Sequence, residues 1–153
     1  MAKKLSAGIL LYRRRQAGLE VLIVHPGGPL WAKKDVGAWS IPKGEYTEAE
    51  NPLAVAKREF YEETGFEANG PCLELMAAKQ PSGKIIRAWA VEGDIDAAAI
   101  RSNNFSMEWP PKSGRVQSFP EIDRALWCGL AIAREKLPTG QCVFLDQLEQ
   151  RIG

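Results

Sequence analysis

The sequence is poor in soft metal ligands: one histidine, His25, and three cysteines, Cys72, Cys128 and Cys142, in 153 residues. The cysteines are far apart and form no C-x-x-C pair, which excludes the usual zinc-site and disulfide patterns and points to a reducing cytoplasm. All three are expected to be plain core thiols. A surplus of charge is also missing. Twenty Lys and Arg against nineteen Asp and Glu leave a net charge of +1, so there is no general pull toward nucleic acid or a membrane surface. An anionic substrate has to be drawn in by local cations or by a metal. Long hydrophobic runs are absent too. The apolar run ending at Tyr12 is far too short to span a bilayer, and Arg13, Arg14 and Arg15 follow it without a small-residue cleavage site, so the start reads as a first strand and not a leader.

What is present suits one ordinary domain covering residues 1–153, with 45% apolar and 25% charged residues and enough chain to bury a core. Residues 7–12 and 21–24 are β-rich runs around Gly18, a hairpin with a longer loop whose arginines form a solvated end. Residues 26–43 form a long connection of the kind that often binds ligands, with Trp39, Ser40, Ile41 and Pro42 supplying a short strand into Gly44. Residues 72–79 and 84–91 read as strands around the Pro81-Ser82-Gly83 turn. Residues 95–104 are helical or loop. Short strands are expected at 105–109 and 125–127, with 110–120 a mobile connection, and helices at Leu130–Lys136 and 144–152.

The strongest local signal lies between these hairpins. Asn51 followed by Pro52 is a side-chain cap and a proline at the first helical position, and Gly65 is a good stop, so a helix is predicted over Pro52–Thr64. At 100° per residue, Leu53, Ala56, Phe60 and Thr64 form a narrow apolar stripe. Glu59, Glu62 and Glu63 share an arc away from the centre of that stripe, at i, i+3 and i+4. Like charges so spaced destabilise a helix, and their place late in the helix opposes its dipole. Taken alone, Glu62-Glu63 fits a solvated acidic face. A hard divalent cation would turn the repulsion into ligation, since Mg²⁺ takes carboxylate and phosphate oxygens.

The wider pattern is more specific. Gly44, Glu50, Arg58, Glu59, Glu62, Glu63 and Gly65 match every fixed position of G-x5-E-x7-R-E-U-x-E-E-x-G-U, where U is aliphatic. By this motif the chain resembles the Nudix hydrolases, the MutT-like family; Phe60 and Phe66 stand where an aliphatic residue is usual. The resemblance implies an α/β fold, an α/β/α sandwich with a mixed sheet, and Mg²⁺-dependent (or Mn²⁺-dependent) hydrolysis of a nucleoside diphosphate linked to another group. It also implies roles for particular residues. Glu59, Glu62 and Glu63 would ligate the metal, with Glu59 a candidate to activate water. Arg58 would hold a glutamate by a bidentate pair, and Glu50 would support the cluster or bind a second metal. Gly44 would permit a tight loop, with the Lys43 carbonyl a further ligand.

Several family members use another acidic residue beyond the helix. Glu121, shortly before Trp127, is the candidate here, with Glu108 and Asp123 as rivals. The segment from Trp39 to Glu45 resembles the entry segment of the dinucleoside polyphosphate and diphosphoinositol polyphosphate branches. Lys33, Lys34, Lys43, Lys79 and Arg87 are candidate phosphate contacts, Trp39 a substrate contact, and Trp31 or Trp89 a stacking surface for a base. His25, before Pro26-Gly27-Gly28, suits a structural or substrate-edge role. The expected partner is a small nucleotide or polyphosphate, with no nucleic acid and no membrane, for a monomer or homodimer. The competing reading is a non-catalytic Nudix-like binding or regulatory module, a class that commonly loses the motif carboxylates.

Overall fold

A computed structural model describes residues 4–153; Met1 to Lys3, the first residues of the expected opening strand, lie outside it. The chain runs β1 (Leu5–Arg15), β2 (Gly18–Pro26), β3 (Lys43–Tyr46), α1 (Pro52–Thr64), β4 (Cys72–Glu74), β5 (Ala78–Lys79), β6 (Ile85–Glu92), β7 (Asn104–Glu108), β8 (Val116–Pro120), β9 (Ile122–Gly129), α2 (Leu130–Lys136) and α3 (Cys142–Arg151), with short 3₁₀ turns at Ala97–Ala99 and Thr139–Gln141. β1 pairs parallel with β6 and antiparallel with β2 and β3, within a mixed sheet of order β4-β6-β1-β2-β9.

Alternation along the central strands sends side chains to two cores. Ile9 and Leu11 of β1, with Trp89 and Val91 of β6, pack beneath Val55, Ala56 and Phe60 of α1. Leu10 and Tyr12, with Ala88 and Ala90, face Ala133 of α2 and Phe144, Leu145 and Leu148 of α3. The period of two decides which core each residue enters, and the result is the expected α/β/α sandwich. Among the described residues, no helix is long and apolar enough to cross a membrane.

One edge of β1 is shared, and this opens the site. Its outer half, Tyr12 to Arg15, pairs with β2, whereas Leu5 to Gly8 pair with β3. Residues 39–42 thread the fork between them: Ser40 bridges Val24, and the Ile9 amide donates to the Pro42 carbonyl at 3.1 Å. Gly8 makes that approach possible, because a Cβ there would lie 2.6 Å from the Pro42 oxygen.

Several expectations need correction. Residues 39–42 form a single bridge and not a strand, since the Ile41 amide is spent on the Gln141 side chain and Pro42 has no N–H to donate. The β1–β2 turn is tight, with only Gln16 and Ala17 between the paired Arg15 and Gly18. Arg13 is not simply solvated: it pairs with Glu20 and Asp94 and lies over the Trp127 ring at 4.2 Å. Within 110–120, residues Val116–Pro120 form β8, paired to β7 in a separate two-stranded sheet. Only Cys128 of the three cysteines is buried; Cys72 and Cys142 are partly exposed, and all are free thiols.

Candidate active site

The helix that carries the carboxylates begins and ends as its sequence dictates. Asn51 Oδ1 accepts from the Ala54 amide at 3.1 Å, Pro52 opens the first turn, and Gly65 closes it with φ 79° while donating to the Tyr61 carbonyl at 2.7 Å. Its core face is wider than the predicted stripe. Val55 and Glu63 are buried, while Leu53 is only partly so. A glutamate that is 8% exposed in a half-apolar setting is costly unless something offsets its charge.

Burial, followed by the charge of Glu59, pushes the Glu63 carboxyl up to about 8, against the opposing pull of Lys43. Glu59 is also raised, first by burial and then by Glu62, with Arg58 opposing. Lys43 is lowered by burial and by neighbouring Lys84, a cation that the motif does not mark. The site therefore holds like charges side by side with too little opposite charge to balance them. Its donors are all carboxylate oxygens, the chemistry a hard divalent cation takes. Among the described residues, no three acidic, histidine or cysteine side chains converge closely enough to enclose a metal by themselves. An ion held by these carboxylates would need further ligands from water and substrate oxygens, as Mg²⁺ commonly does.

Gly44, the first residue of the motif, lies directly against Glu59: any Cβ at position 44 would fall inside the space of the Glu59 carboxylate. Arg58 divides its guanidinium between Glu50, at 3.5 Å, and Glu59, at 3.7 Å, and makes no bidentate pair with either. Glu50 also accepts from the Thr47 amide at 2.9 Å, and this contact, ahead of Arg58, holds its carboxyl below the usual range. Glu50 stands behind Arg58 as its anchor.

Glu121 is brought to the helix by a ladder of backbone hydrogen bonds. The Asn103 amide donates to the Glu62 carbonyl, the Glu121 amide to the Asn103 carbonyl, and the Gly27 amide to the Glu121 carbonyl, each at 2.8 Å. Its charge is felt by Glu59 and Glu63, and partial burial together with Glu62 raises its own carboxyl. The rivals are occupied elsewhere. Glu108 accepts from the Lys112 and Gly114 amides inside the β7–β8 turn, and Asp123 lies 2.8 Å from His25 Nδ1. Asn103, which holds Glu121 in register with Glu62, carried no sequence signal, because its role is played by backbone atoms.

A cavity of about 300 Å³ opens beside Glu63 and Lys43, walled by Trp31, Trp39, Gln80 and Gln141. Trp39 is a buried part of that wall. Its Nε1 donates to Asp35 at 2.7 Å, and His25 meets its ring edge-on. Fully buried His25 places its other ring nitrogen 2.7 Å from the Lys34 carbonyl and so fastens the 27–38 segment to β9. Lys33 is exposed on this segment. Arg87 is engaged outside the cavity, donating to Glu74 at 2.6 Å and lying over Trp89.

The class that this fold and acidic helix define is a pyrophosphohydrolase. A NUDIX domain model matches residues 2–143, and the chain belongs to that family. Among solved structures it is similar to the Ap4A hydrolase of C. elegans in a binary complex, at 18% identity and a TM-score of 0.65, over 95% of this chain and 96% of that one. It is also similar to the NUDIX domain of Shewanella oneidensis NrtR complexed with ADP ribose, at 16% identity and a TM-score of 0.67, over 100% of this chain and 90% of that one. A third likeness is to MutT, in a study of the Aliivibrio salmonicida and Vibrio cholerae proteins, at 14% identity and a TM-score of 0.59, over 99% and 100% of the two chains. No curated protein sequence matches the chain.

Proposed function

We propose that the chain hydrolyses a phosphoanhydride bond in a nucleoside diphosphate linked to a second group, most favourably a dinucleoside polyphosphate or a nucleoside triphosphate. The carrying observation is Glu63, a buried carboxyl crowded by Glu59 in a helix that keeps every motif carboxylate. Glu59, Glu62 and Glu63 would hold Mg²⁺, or Mn²⁺ in its place. Such an ion neutralises phosphate oxygens and makes bound water more acidic.

The chain's own groups do the rest. Glu59, whose carboxyl is raised by burial and then by Glu62, is the candidate base that takes a proton from the attacking water. Arg58 orients Glu59, and Glu121 is the further acidic residue at the same centre. As the new P–O bond forms, the bridging P–O bond breaks, and the leaving phosphate departs as an anion beside Lys43. Lys33 and Trp39 belong to the substrate-facing segment in this reading, and Arg87 would act only on a distal part of the substrate. The free thiols support a reducing cytoplasm as the setting.

The test is phosphate release with product identification across dinucleoside polyphosphates, ADP-ribose, nucleoside triphosphates and diphosphoinositol polyphosphates, with Mg²⁺, Mn²⁺ or chelator. Metal-dependent cleavage of one class is expected. The ADP-ribose complex of the NrtR NUDIX domain is the observation favouring a second reading, a nucleotide-binding module. Binding without cleavage of any substrate would favour that reading.

A further inference from the structure

Both ring nitrogens of His25 face acceptors. Nδ1 lies 2.8 Å from Asp123 Oδ1, and Nε2 lies 2.7 Å from the Lys34 carbonyl. A carbonyl oxygen only accepts, so the second contact is a hydrogen bond only when Nε2 carries a hydrogen. A carboxylate makes the same demand of Nδ1. Neutral imidazole has a single N–H and can satisfy one of the two. Arg124 Nε also donates to that Asp123 oxygen, at 3.4 Å, which leaves the oxygen an acceptor and puts the proton on the ring. With both contacts made, His25 is an imidazolium.

A fully buried cation must be balanced by its neighbours. Asp123 of β9 balances it directly, and Asp35, which accepts from Trp39 Nε1 at 2.7 Å, adds negative charge nearby. The Trp39 ring, centred 5.1 Å away, also favours a cation. Arg124 of β9 and Lys136 of α2, at 5.2 and 5.5 Å from the same indole, oppose it. The Lys34 ammonium lies over Trp31 at 4.9 Å.

The proton matters because of what it holds. The 27–38 segment is tied at both ends, where the Gly27 amide donates to Glu121 and the Gly37 amide to Glu135. Among the described residues, the hydrogen bonds of residues 29–34 stay inside the segment except at the Lys34 carbonyl. That stretch carries Trp31, a wall of the cavity beside Glu63. When the ring loses a proton, the remaining N–H stays with Asp123, because a charge-assisted bond is the stronger one. The Nε2 lone pair then faces the Lys34 oxygen, and two acceptors 2.7 Å apart repel.

We propose that His25 is a proton-operated latch and a positioning residue: as an imidazolium paired with Asp123 it holds the Lys34 carbonyl and sets Trp31 against the cavity, and its deprotonation frees residues 29–34. The cavity wall is fastened at lower pH and loosens as pH rises. The latch belongs to the fold, while its effect on turnover rests on the hydrolase reading.

The test is a titration of the chain without added divalent cations, by heteronuclear magnetic resonance from about pH 5 to about pH 9. A single histidine makes the ring signals unambiguous, and the Asp35 amide, joined to the Lys34 carbonyl, senses that oxygen's hydrogen bond. Both ring nitrogens should carry hydrogen at the acid end, and ring and amide should then change with one midpoint. Asp123→Asn, at an exposed position, removes the counter-charge and should move both midpoints down by about one pH unit or more. On a substrate that the wild type cleaves, KM should rise about 2-fold at the midpoint and further above it. That rise should move with the midpoint in Asp123→Asn, whereas a rise driven by Glu63 would stay in place. A ring unchanged across the range, an Asp35 amide indifferent to the ring, or a KM flat through its titration would overturn the proposal. Should ring and amide titrate together while no substrate is cleaved, the hydrolase reading fails and the latch stands.

Discussion

Gly44 and Glu59 occupy one space: the missing side chain of the first is where the carboxylate of the second lies. The two are fifteen residues apart in sequence, yet one sets the rotamer of the other. Gly44→Ala should therefore displace Glu59 and lower kcat by at least about 10-fold, while the rest of α1, capped independently by Asn51 and Gly65, stays folded. Turnover alongside far-ultraviolet circular dichroism checks this; a folded Gly44→Ala enzyme with unchanged kcat would contradict it.

The pH dependence of stability follows from Glu63. Its carboxyl rises from 4.5 to about 8 in the fold, so the folded state binds this proton more tightly than the unfolded chain does. That stabilisation is complete below the unfolded value and is lost as pH climbs through about 8. Without divalent cations, the melting temperature should fall by roughly 10 °C between pH 5 and pH 9, and Glu63→Gln, which cannot ionise, should flatten that slope. An equally steep slope in the variant would assign it to other groups.

The same proton couples to metal. Binding Mg²⁺ at Glu63 requires the carboxylate, so affinity should strengthen as pH rises toward 8 and binding near pH 7 should release close to one proton. Calorimetry in buffers of different ionisation enthalpy measures that proton directly. Proton release undiminished in Glu63→Gln would place its source elsewhere.

His25 should matter for the loop and not for the chemistry. It is fully buried, with one ring nitrogen on Asp123 and the other on the Lys34 carbonyl. His25→Ala removes both contacts and leaves a cavity beside Trp39, a loss of about 2–4 kcal/mol in chemical denaturation. Loss of the fastened segment should raise KM more than it lowers kcat. An effect confined to kcat would mean that His25 touches the reacting groups.

Much of this site was legible in residues 44–65, because helix caps and the motif carboxylates are local in sequence. The sandwich was implied by the resemblance that the motif carries, while the run 7–12 marked only a strand; which core each of Ile9, Leu10, Leu11 and Tyr12 enters is seen in the fold. What escaped prediction depends on distant partners. β8 is largely exposed, and it forms because Phe119 meets Phe105 and the strand pairs with β7 across a turn. The burial of Glu63 reflects the elements laid over α1, which a helical wheel drawn for one segment does not include. Glu121 was nominated by its place before Trp127, but the ladder through Asn103 that carries it to Glu62 uses only backbone atoms and leaves no residue signature.

The most direct test of the central claim is the Mg²⁺-dependent turnover of Glu63→Gln against wild type on a substrate that the wild type cleaves. Glutamine keeps the shape of the buried side chain and removes its charge. The account predicts a folded variant with kcat reduced by about 100-fold or more. A folded variant turning over at near the wild-type rate would contradict the assignment of this helix as the catalytic centre.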